Sequence, residues 1–148
     1  MLKITALMDD MPGNNPELRA EHGLSFFAQY GEHRILFDCG QSGAALENAK
    51  ILGLPVGKAE AVVISHSHYD HTGGVAELQE QWPGVPVYLN HGDVYEDVRM
   101  HHEFPVLHNI KDYGEGDTFA VGDMNVYVIG QVNQKVLCHS ADHITIDW

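Results

Sequence analysis

Hydrophobic and polar residues alternate in strand-like runs along the N-terminal part of the chain. Leu2–Met8 alternates enough to predict an opening strand, and Asp9–Gly23, rich in proline, asparagine and glycine, predicts a long loop. Leu24–Tyr30 and Arg34–Phe37 flank a short turn and predict a β-hairpin. A loop as long as Asp9–Gly23 either overhangs a functional site or is a flexible surface loop, and the pattern alone leaves both open.

Helix-like spacing follows and is interrupted by a short apolar run. Ala44–Leu54 predicts a helix, and Val75–Trp82 predicts a second helix that ends before a Pro-Gly pair. Between them, Ala61–Ile64 is apolar and β-branched, as expected of a strand buried on both faces, and Val85–Leu89 returns as a strand. This alternation predicts an α/β (α+β) fold in which a mixed sheet carries helices on one face. The buried face of the first helix is predicted to contain Ala45, Leu46, Ala49 and Leu52.

The last third of the chain has weaker patterns. Asn90–Met100 predicts a short helical stretch, and Asn125–Ile129 alternates as a half-buried strand. Residues 115–124 contain two turn signals around a further short strand. The histidines in the segment without a clear period are predicted to be solvent-exposed: His101, His102 and His108.

Composition and charge narrow the class of protein. The 148 residues are 44% apolar and 20% charged, which is typical of one soluble globular domain. Apolar runs are far too short for a membrane span and the N-terminus lacks a signal-peptide pattern, so we expect a cytoplasmic protein without membrane contact. The formal charge of −13 argues against nucleic acid as a partner. Two cysteines, Cys39 and Cys138, are too few for a disulfide framework.

The strongest chemical signal directly follows the buried strand Ala61–Ile64. His66 and His68 are two residues apart, so they project to the same side of an extended segment. Asp70 and His71 follow after the chain has turned. Neutral imidazole and carboxylate are good ligands for zinc and similar divalent ions, so these four side chains predict a metal site. The alternative is a solvated polar turn that happens to be rich in histidine.

A pair of glycines, Gly73 and Gly74, is predicted to let the backbone turn tightly and start a helix, so that the loop wraps around an ion. Residues 66–71 read His-x-His-x-Asp-His between a strand and a helix, and this pattern resembles the metallo-β-lactamase superfamily. Residues 20–25, 36–42 and 48–50 further resemble its dihydropterin ribofuranosylaminobenzene phosphate synthase-like branch, which usually has threonine where Cys39 stands.

The resemblance implies supporting roles for residues outside this motif. Asp38 is expected beneath the loop that carries residues 66–71, where it would support a ligand rather than bind the ion. The alternative is a plain carboxylate in a turn. His22 is expected either to line the site or to cap the loop. His91 ends the strand that should run beside the metal-bearing one, so it is a candidate for the pocket, with a structural role as the alternative.

The segment at 138–143 resembles the superfamily's Gly-His-Thr-x-x-His loop, with Cys138 in place of glycine. The resemblance implies that His139 is the third ligand of one metal site, together with His66 and His68, and that His143 lies in the pocket or supports a ligand. The alternative is a pair of histidines in an ordinary strand.

The superfamily fold is an αβ/βα sandwich, and the resemblance covers only about half of it. We therefore expect residues 1–148 to form a single shortened domain that lacks the C-terminal half, unless the sequence is a truncated product. Its second site, Asp70 with His71, then lacks partners. A sheet with helices on one face would also expose its other apolar face, which predicts a homodimer that buries the two exposed faces.

The chemistry that this ligand set supports is hydrolysis. A zinc-like ion lowers the pKa of a bound water to about 7 and polarises a carbonyl or phosphoryl oxygen. The predicted cofactor is Zn²⁺, one or two ions, with Fe or Mn as alternatives, and Asp70 is predicted to orient the water or accept its proton. The resemblance implies a small-molecule substrate: a lactam, thioester, lactone or phosphoester, with a slight preference for a phosphorylated or pterin-like molecule. A metal-binding module without turnover and an inactive structural remnant are the alternatives.

Overall fold

A six-stranded mixed sheet positions the metal-competent residues 66–71, which follow one of its strands. The structure is a computed structural model, and it describes residues 1–89, 109–114, 116–122, 124–134 and 139–147, with the backbone alone for 129–134 and 139–147. Strands β1 to β3 pair antiparallel, and β3 to β6 pair parallel. In spatial order, which is also chain order, the strands are β1 (Leu2–Met8), β2 (Ser25–Tyr30), β3 (His33–Phe37), β4 (Ala61–Val63), β5 (Val87–Leu89) and β6 (Ile110–Asp112).

Helices cover one face of this sheet, as the alternation of patterns predicts. They are α1 (Ala44–Ile51), α2 (Tyr69–Thr72) and α3 (Val75–Gln81), with a short 3-10 helix at Val56–Lys58. Leu46 and Leu78 of these helices join Phe27 of the sheet in one buried core. The first helix ends earlier than predicted, because Leu52 is its C-cap and Gly53 adopts a φ of 67°. Leu52 is consequently 37% exposed, and its predicted place on the buried face is wrong.

The central strand β4 is buried on both faces, as predicted. Ala61, Val62 and Val63 are all 0% exposed. Because successive side chains of a strand point to opposite faces, Val62 joins the core under the helices, and its two neighbours join a second core on the other face.

A second sheet forms that other core. It contains three antiparallel strands, β7 (Thr118–Val121), β8 (Met124–Gln134) and β9 (His139–Asp147). Val121, Met124 and Val126 of this sheet pack against Ile35 and Val63 of the first. The expectation of an uncovered apolar face is therefore wrong, since a hairpin of the same chain covers it. The homodimer stays a prediction, but this packing argument no longer supports it.

The described parts of the chain contain no helix with the length and apolarity that a bilayer crossing requires.

The edge of the first sheet at which its parallel strands end brings the site residues together. β3 and β4 pair parallel, as do β5 and β6, so their carboxyl ends lie at one edge of the sheet. Asp38 follows β3, Ser65 comes shortly after β4, and Tyr113 follows β6. The parallel topology thus brings three segments distant in sequence to one place.

The two glycines after the metal-competent residues have a different role from the one predicted. Gly73 and Gly74 have ordinary right-handed helical φ angles of −59° and −80°, which any residue can adopt. Close packing explains them instead. A Cβ on Gly73 would lie 2.1 Å from the Gln41 carbonyl oxygen, and one on Gly74 would lie 2.3 Å from that of Cys39. The residues after the metal loop therefore rest directly on the backbone that follows Asp38.

We expect Gly74→Ala to destabilise the protein by about 1–3 kcal/mol, because the added methyl group meets backbone atoms that cannot rotate away. Gly13→Ala is the matched control, since a Cβ there meets nothing within 4 Å. The control should leave the free energy of unfolding unchanged or raise it by up to about 1 kcal/mol. Urea unfolding measures both variants, and equal stabilities would contradict the packing role of Gly74.

Candidate metal centre

The metal loop, residues 65–72, leaves the carboxyl end of β4 and enters the short helix α2. His68 has an extended conformation (φ −61°, ψ 147°) as the residue before α2, and Asp70 and His71 lie within the helix. The loop is closed by backbone and side-chain hydrogen bonds to the His68 carbonyl, including one from the Thr72 hydroxyl at 3.0 Å. The local fold therefore places all four metal-competent side chains on one short, tightly turned segment.

Asp38 supports this loop from below. Its side chain is completely buried, and its φ of 53° is a left-handed conformation that aspartate tolerates. One carboxylate oxygen accepts the Ser65 N–H at 2.8 Å. The other accepts the Ser65 hydroxyl at 2.8 Å and lies 2.7 Å from His71 Nδ1. Asp38 therefore contacts two residues of the metal loop directly.

These contacts decide which nitrogen of His66 and of His71 faces the supporting residues. The Ser65 hydroxyl donates its one proton to Asp38, so its oxygen accepts from His66 Nδ1, which lies 2.9 Å away. His71 likewise donates through Nδ1 to the Asp38 carboxylate. Both histidines are thus oriented through Nδ1, which leaves Nε2 of each ring for a metal ion or a proton.

The donors form two pairs with spacings suitable for coordination. His66 Nε2 lies 3.0 Å from His68 Nδ1, and His71 Nε2 lies 3.3 Å from Asp70 Oδ2. Two ligands at the usual zinc distances, in tetrahedral geometry, are about 3.3 Å apart. The two pairs are adjacent, because the ring centroids of His66 and His71 are 4.1 Å apart. Each pair therefore fits two ligands of one divalent ion.

Neither pair is a complete site. Among the side chains that the structure describes, no three or more histidines, cysteines, aspartates or glutamates are grouped so that they could hold one ion. A catalytic zinc site has three protein ligands and a structural site has four. Each donor pair therefore needs at least one more ligand.

Several predictions concern residues that lie wholly or partly outside the described chain, including the exposure of His101, His102 and His108. His91 and the predicted helical stretch Asn90–Met100 lie outside the described residues, as does Cys138. The backbone of His139 and His143 belongs to β9, where they pair with Gln134 and Gly130 of β8. This differs from the loop that the resemblance implies, because the antiparallel ladder of β8 and β9 includes both residues. Their side chains lie outside the description, so His139 as a ligand stays a prediction.

Charge is concentrated around Asp70 and His71. Burial alone would lower the pKa of His71, but hydrogen bonds and charges from Asp38 and Asp70 outweigh it and raise the pKa from 6.5 to about 9. For Asp70, burial raises the pKa, but the hydrogen bond and charge of His71, with a smaller effect from His22, lower it from 3.8 to about 2. The Asp70 carboxylate is therefore ionised at neutral pH.

Three contacts at this site have no clear signal in the sequence. The buried Tyr113 donates its hydroxyl proton to the Ile64 carbonyl, immediately before the metal loop. The strand before it, Ile110–Asp112, is too short to give a periodic pattern. Ser65 and Asp10, whose carboxylate lies 3.1 Å from His22 Nδ1, are equally hard to predict, because a serine after a strand and an aspartate in a loop are common. The position of Ser65 beside His66 was the one usable hint.

Comparison with known proteins agrees with this arrangement. The profile of the metallo-beta-lactamase superfamily matches residues 18–132. A hydroxyacylglutathione hydrolase of Xylella fastidiosa is 34% identical over 111 residues, which are 75% of this chain and 35% of the relative. The 7,8-dihydropterin-6-methyl-4-(beta-D-ribofuranosyl)-aminobenzene-5'-phosphate synthase of Methanocaldococcus jannaschii is 33% identical over 85 residues, or 54% of this chain and 29% of the relative. The chain thus spans about a third of the length of these curated relatives.

Solved structures share the fold. The metallo-beta-lactamase fold protein YhfI from Bacillus subtilis aligns over 99% of this chain and 58% of its own, with a TM-score of 0.66 and 22% identity. A structure described as a metal-dependent hydrolase of the beta-lactamase superfamily aligns over 100% of this chain and 55% of its own, with a TM-score of 0.64 and 25% identity. Both the expected fold class and the resemblance are confirmed. The chain belongs to the metallo-beta-lactamase superfamily.

Proposed function

We propose that this protein is a metal-dependent hydrolase that acts on a small-molecule ester, thioester, lactone, lactam or phosphoester. The names of its relatives support the general class, since one is a hydrolase of a glutathione thioester. Membership of the superfamily supports a divalent metal cofactor, for which we propose Zn²⁺. One ion would be held by His66, His68 and His139, and a second by Asp70 and His71 with ligands still to be identified.

The observation that carries this proposal is the hydrogen-bond network of Asp38. A single buried carboxylate orients His71 directly and His66 through the Ser65 hydroxyl. Histidines that bind metals almost always donate their other ring N–H to a carboxylate, carbonyl or water, which fixes the ring and increases its basicity. A solvated polar turn would not need such a network, so the network favours a metal site over that alternative.

Asp70 is the residue we propose to act on the attacking water. When bound, a zinc-like ion lowers the pKa of a water and polarises the substrate's carbonyl or phosphoryl oxygen. The pKa of Asp70 is about 2, so its carboxylate is a weak base at neutral pH. Of the two predicted roles, the low pKa favours orienting the water through a hydrogen bond over accepting its proton. His71, held by Asp38, lies 3.3 Å from Oδ2 of this carboxylate and limits its movement.

The substrate class stays broad because the relatives point in two directions. One acts on a hydroxyacylglutathione, and the name of the other is that of a phosphate-bearing dihydropterin synthase. The net charge of −13 disfavours polyanionic substrates such as nucleic acids. We therefore propose a single small molecule as the substrate. We also propose the cytoplasm as the compartment.

A metal-binding module without turnover is the second candidate. The two donor pairs support it, because spacings that suit a divalent ion do not by themselves require turnover. Such a protein would bind ions but hydrolyse none of the candidate substrates. The two candidates therefore differ in turnover rather than in metal content.

We expect His68→Ala to lose one bound ion per chain and to reduce hydrolysis more than about 100-fold, because the loss of a ligand should exceed the 10–100-fold effect of outer residues. Native mass spectrometry of protein purified without chelators counts the ions and the chains in each particle. Hydrolysis is then assayed on a thioester, a lactone and a phosphoester.

His33→Ala is the matched control for this variant, because His33 also contacts a carboxylate through Nδ1, that of Glu60 at 3.0 Å, but lies on the β2–β3 hairpin. This control should keep both metal content and activity. A wild-type chain that binds ions without any turnover would favour the metal-binding module, and a chain that binds none would exclude both candidates.

We also expect binding of the second ion to release about one proton at pH 7, because an ion that binds His71 Nε2 must displace the proton that a pKa of about 9 keeps there. Affinity should therefore rise with pH up to about 9. In the metal-free protein, prepared with a chelator, the raised pKa of His71 stabilises the fold below pH 6.5. This stabilisation is lost as the pH rises towards 9.

Calorimetry in buffers of different ionisation enthalpy counts the protons, and NMR titration of the chelated protein gives the pKa of His71. Asp38→Asn, which keeps a side chain tolerant of the left-handed conformation, should lower this pKa and reduce the number of protons released. A pKa of His71 below 7 in the wild-type protein would contradict the charge arrangement described above.

A further inference from the structure

The end of the long N-terminal loop contacts the metal loop at Asp70. His22 Nε2 lies 3.4 Å from Asp70 Oδ2, and the Leu24 N–H donates to the Asp70 carbonyl at 3.3 Å. Between them, Gly23 has a φ of 123°, and a Cβ there would lie 2.1 Å from the same carbonyl oxygen. Three consecutive residues therefore hold both the backbone and the carboxylate of Asp70.

Asp10 anchors this contact from the start of the same loop. Its Oδ1 accepts the Gly23 N–H at 2.9 Å and lies 3.1 Å from His22 Nδ1. His22 thus faces Asp10 through Nδ1 and Asp70 through Nε2. His71 has the same arrangement, with Asp38 at Nδ1 and Asp70 at Nε2. The Asp70 carboxylate oxygen is therefore approached by two histidines, each of which contacts a carboxylate on its other side.

Further along, the loop is fixed to α1. The buried Asn48 side chain accepts the Arg19 N–H at 2.9 Å and donates to the Arg19 carbonyl at 2.8 Å. The Ser42 hydroxyl donates to Glu21 at 2.9 Å. These contacts favour a loop that overhangs the site over a flexible surface loop, the two alternatives that the sequence leaves open.

Exposure separates this contact from core packing. The His22 and Asp10 side chains are 59% and 58% exposed, while that of Asp70 is 13% exposed. Contacts between exposed polar side chains contribute little to global stability. Their removal should therefore act on Asp70 rather than on the fold as a whole.

We propose that Asp10 and His22 are positioning residues that fix the Asp70 carboxylate in the orientation it needs beside His71. The effect on metal binding rests on the proposed function, whereas the effect on the mobility of the metal loop does not. His22→Ala should consequently loosen the metal loop in the chelated protein. In the loaded protein it should weaken the ion at Asp70 and His71 and spare the ion at His66 and His68.

The test compares wild-type protein with His22→Ala, Asp10→Ala, the conservative His22→Gln and the control His33→Ala. Hydrogen exchange of the chelated proteins is followed in peptides that cover residues 65–72. Co²⁺ is then titrated as a spectroscopic probe, which gives the dissociation constants and the visible absorption of the loaded protein. Thermal melting of each variant reports global stability.

We expect His22→Ala and Asp10→Ala to exchange faster in residues 65–72 and to bind one of the Co²⁺ ions, the one at Asp70 and His71, about 10-fold less tightly, in line with the loss of other residues that support ligands. His22→Gln should recover part of this affinity through its side-chain amide, and His33→Ala should match the wild type. The absorption bands of the loaded protein should keep their positions, because the ligands themselves are unchanged.

Wild-type exchange and Co²⁺ affinity in His22→Ala would overturn the proposal. A shift of the absorption bands would also overturn it, because it would make His22 a ligand rather than a positioning residue. If the wild-type chain binds no Co²⁺, the proposed function fails, and hydrogen exchange alone decides whether Asp10 and His22 hold Asp70.

Discussion

The buried carboxylate of Asp38 is the constraint on which the site depends. A charge removed from water costs several kcal/mol unless hydrogen bonds compensate for it. The compensation comes from the Ser65 N–H, the Ser65 hydroxyl and His71, all in the metal loop. Burial nevertheless raises the pKa of Asp38, so the ionised carboxylate depends on these hydrogen bonds. The hydrogen bonds form only while the metal loop keeps its shape. The fold and the orientation of the histidines are thus enforced by the same three hydrogen bonds.

Parallel pairing makes this arrangement possible. Because β3 and β4 run side by side in the same direction, the residues that follow them meet at one edge of the sheet. The metal loop is then held from three further sides: by Gly73 and Gly74 against the backbone at 39–42, by residues 22–24 at Asp70, and by Tyr113 at Ile64. Most of these contacts involve backbone atoms, which gives the loop a defined position before any ion binds.

The features that could be predicted from the sequence are those with a local signal. The hairpin, the doubly buried strand β4 and the His-x-His-x-Asp-His motif each occupy a few consecutive residues, so pattern and motif suffice. The covered second face, the Asp10–His22 contact and the reason for Gly73 and Gly74 depend on residues that meet only after folding. β6 is three residues long, which is too short to show a periodic pattern, so it is not predicted. Without this strand, the position of Tyr113 beside the metal loop cannot be predicted either. The predicted burial of Leu52 is wrong for a related reason, because the end of a helix is determined by its cap rather than by periodicity.

The two donor pairs are therefore supported unequally. Asp38 reaches both of them, since it contacts His71 directly and His66 through Ser65, and the two rings are themselves 4.1 Å apart. Asp10 reaches only Asp70, through His22. A buried carboxylate thus couples the two positions, whereas an exposed one adjusts a single position. Changes in the loop 9–23 can consequently alter the Asp70 position while the His66–His68 pair stays intact, whereas changes at Asp38 should affect both positions.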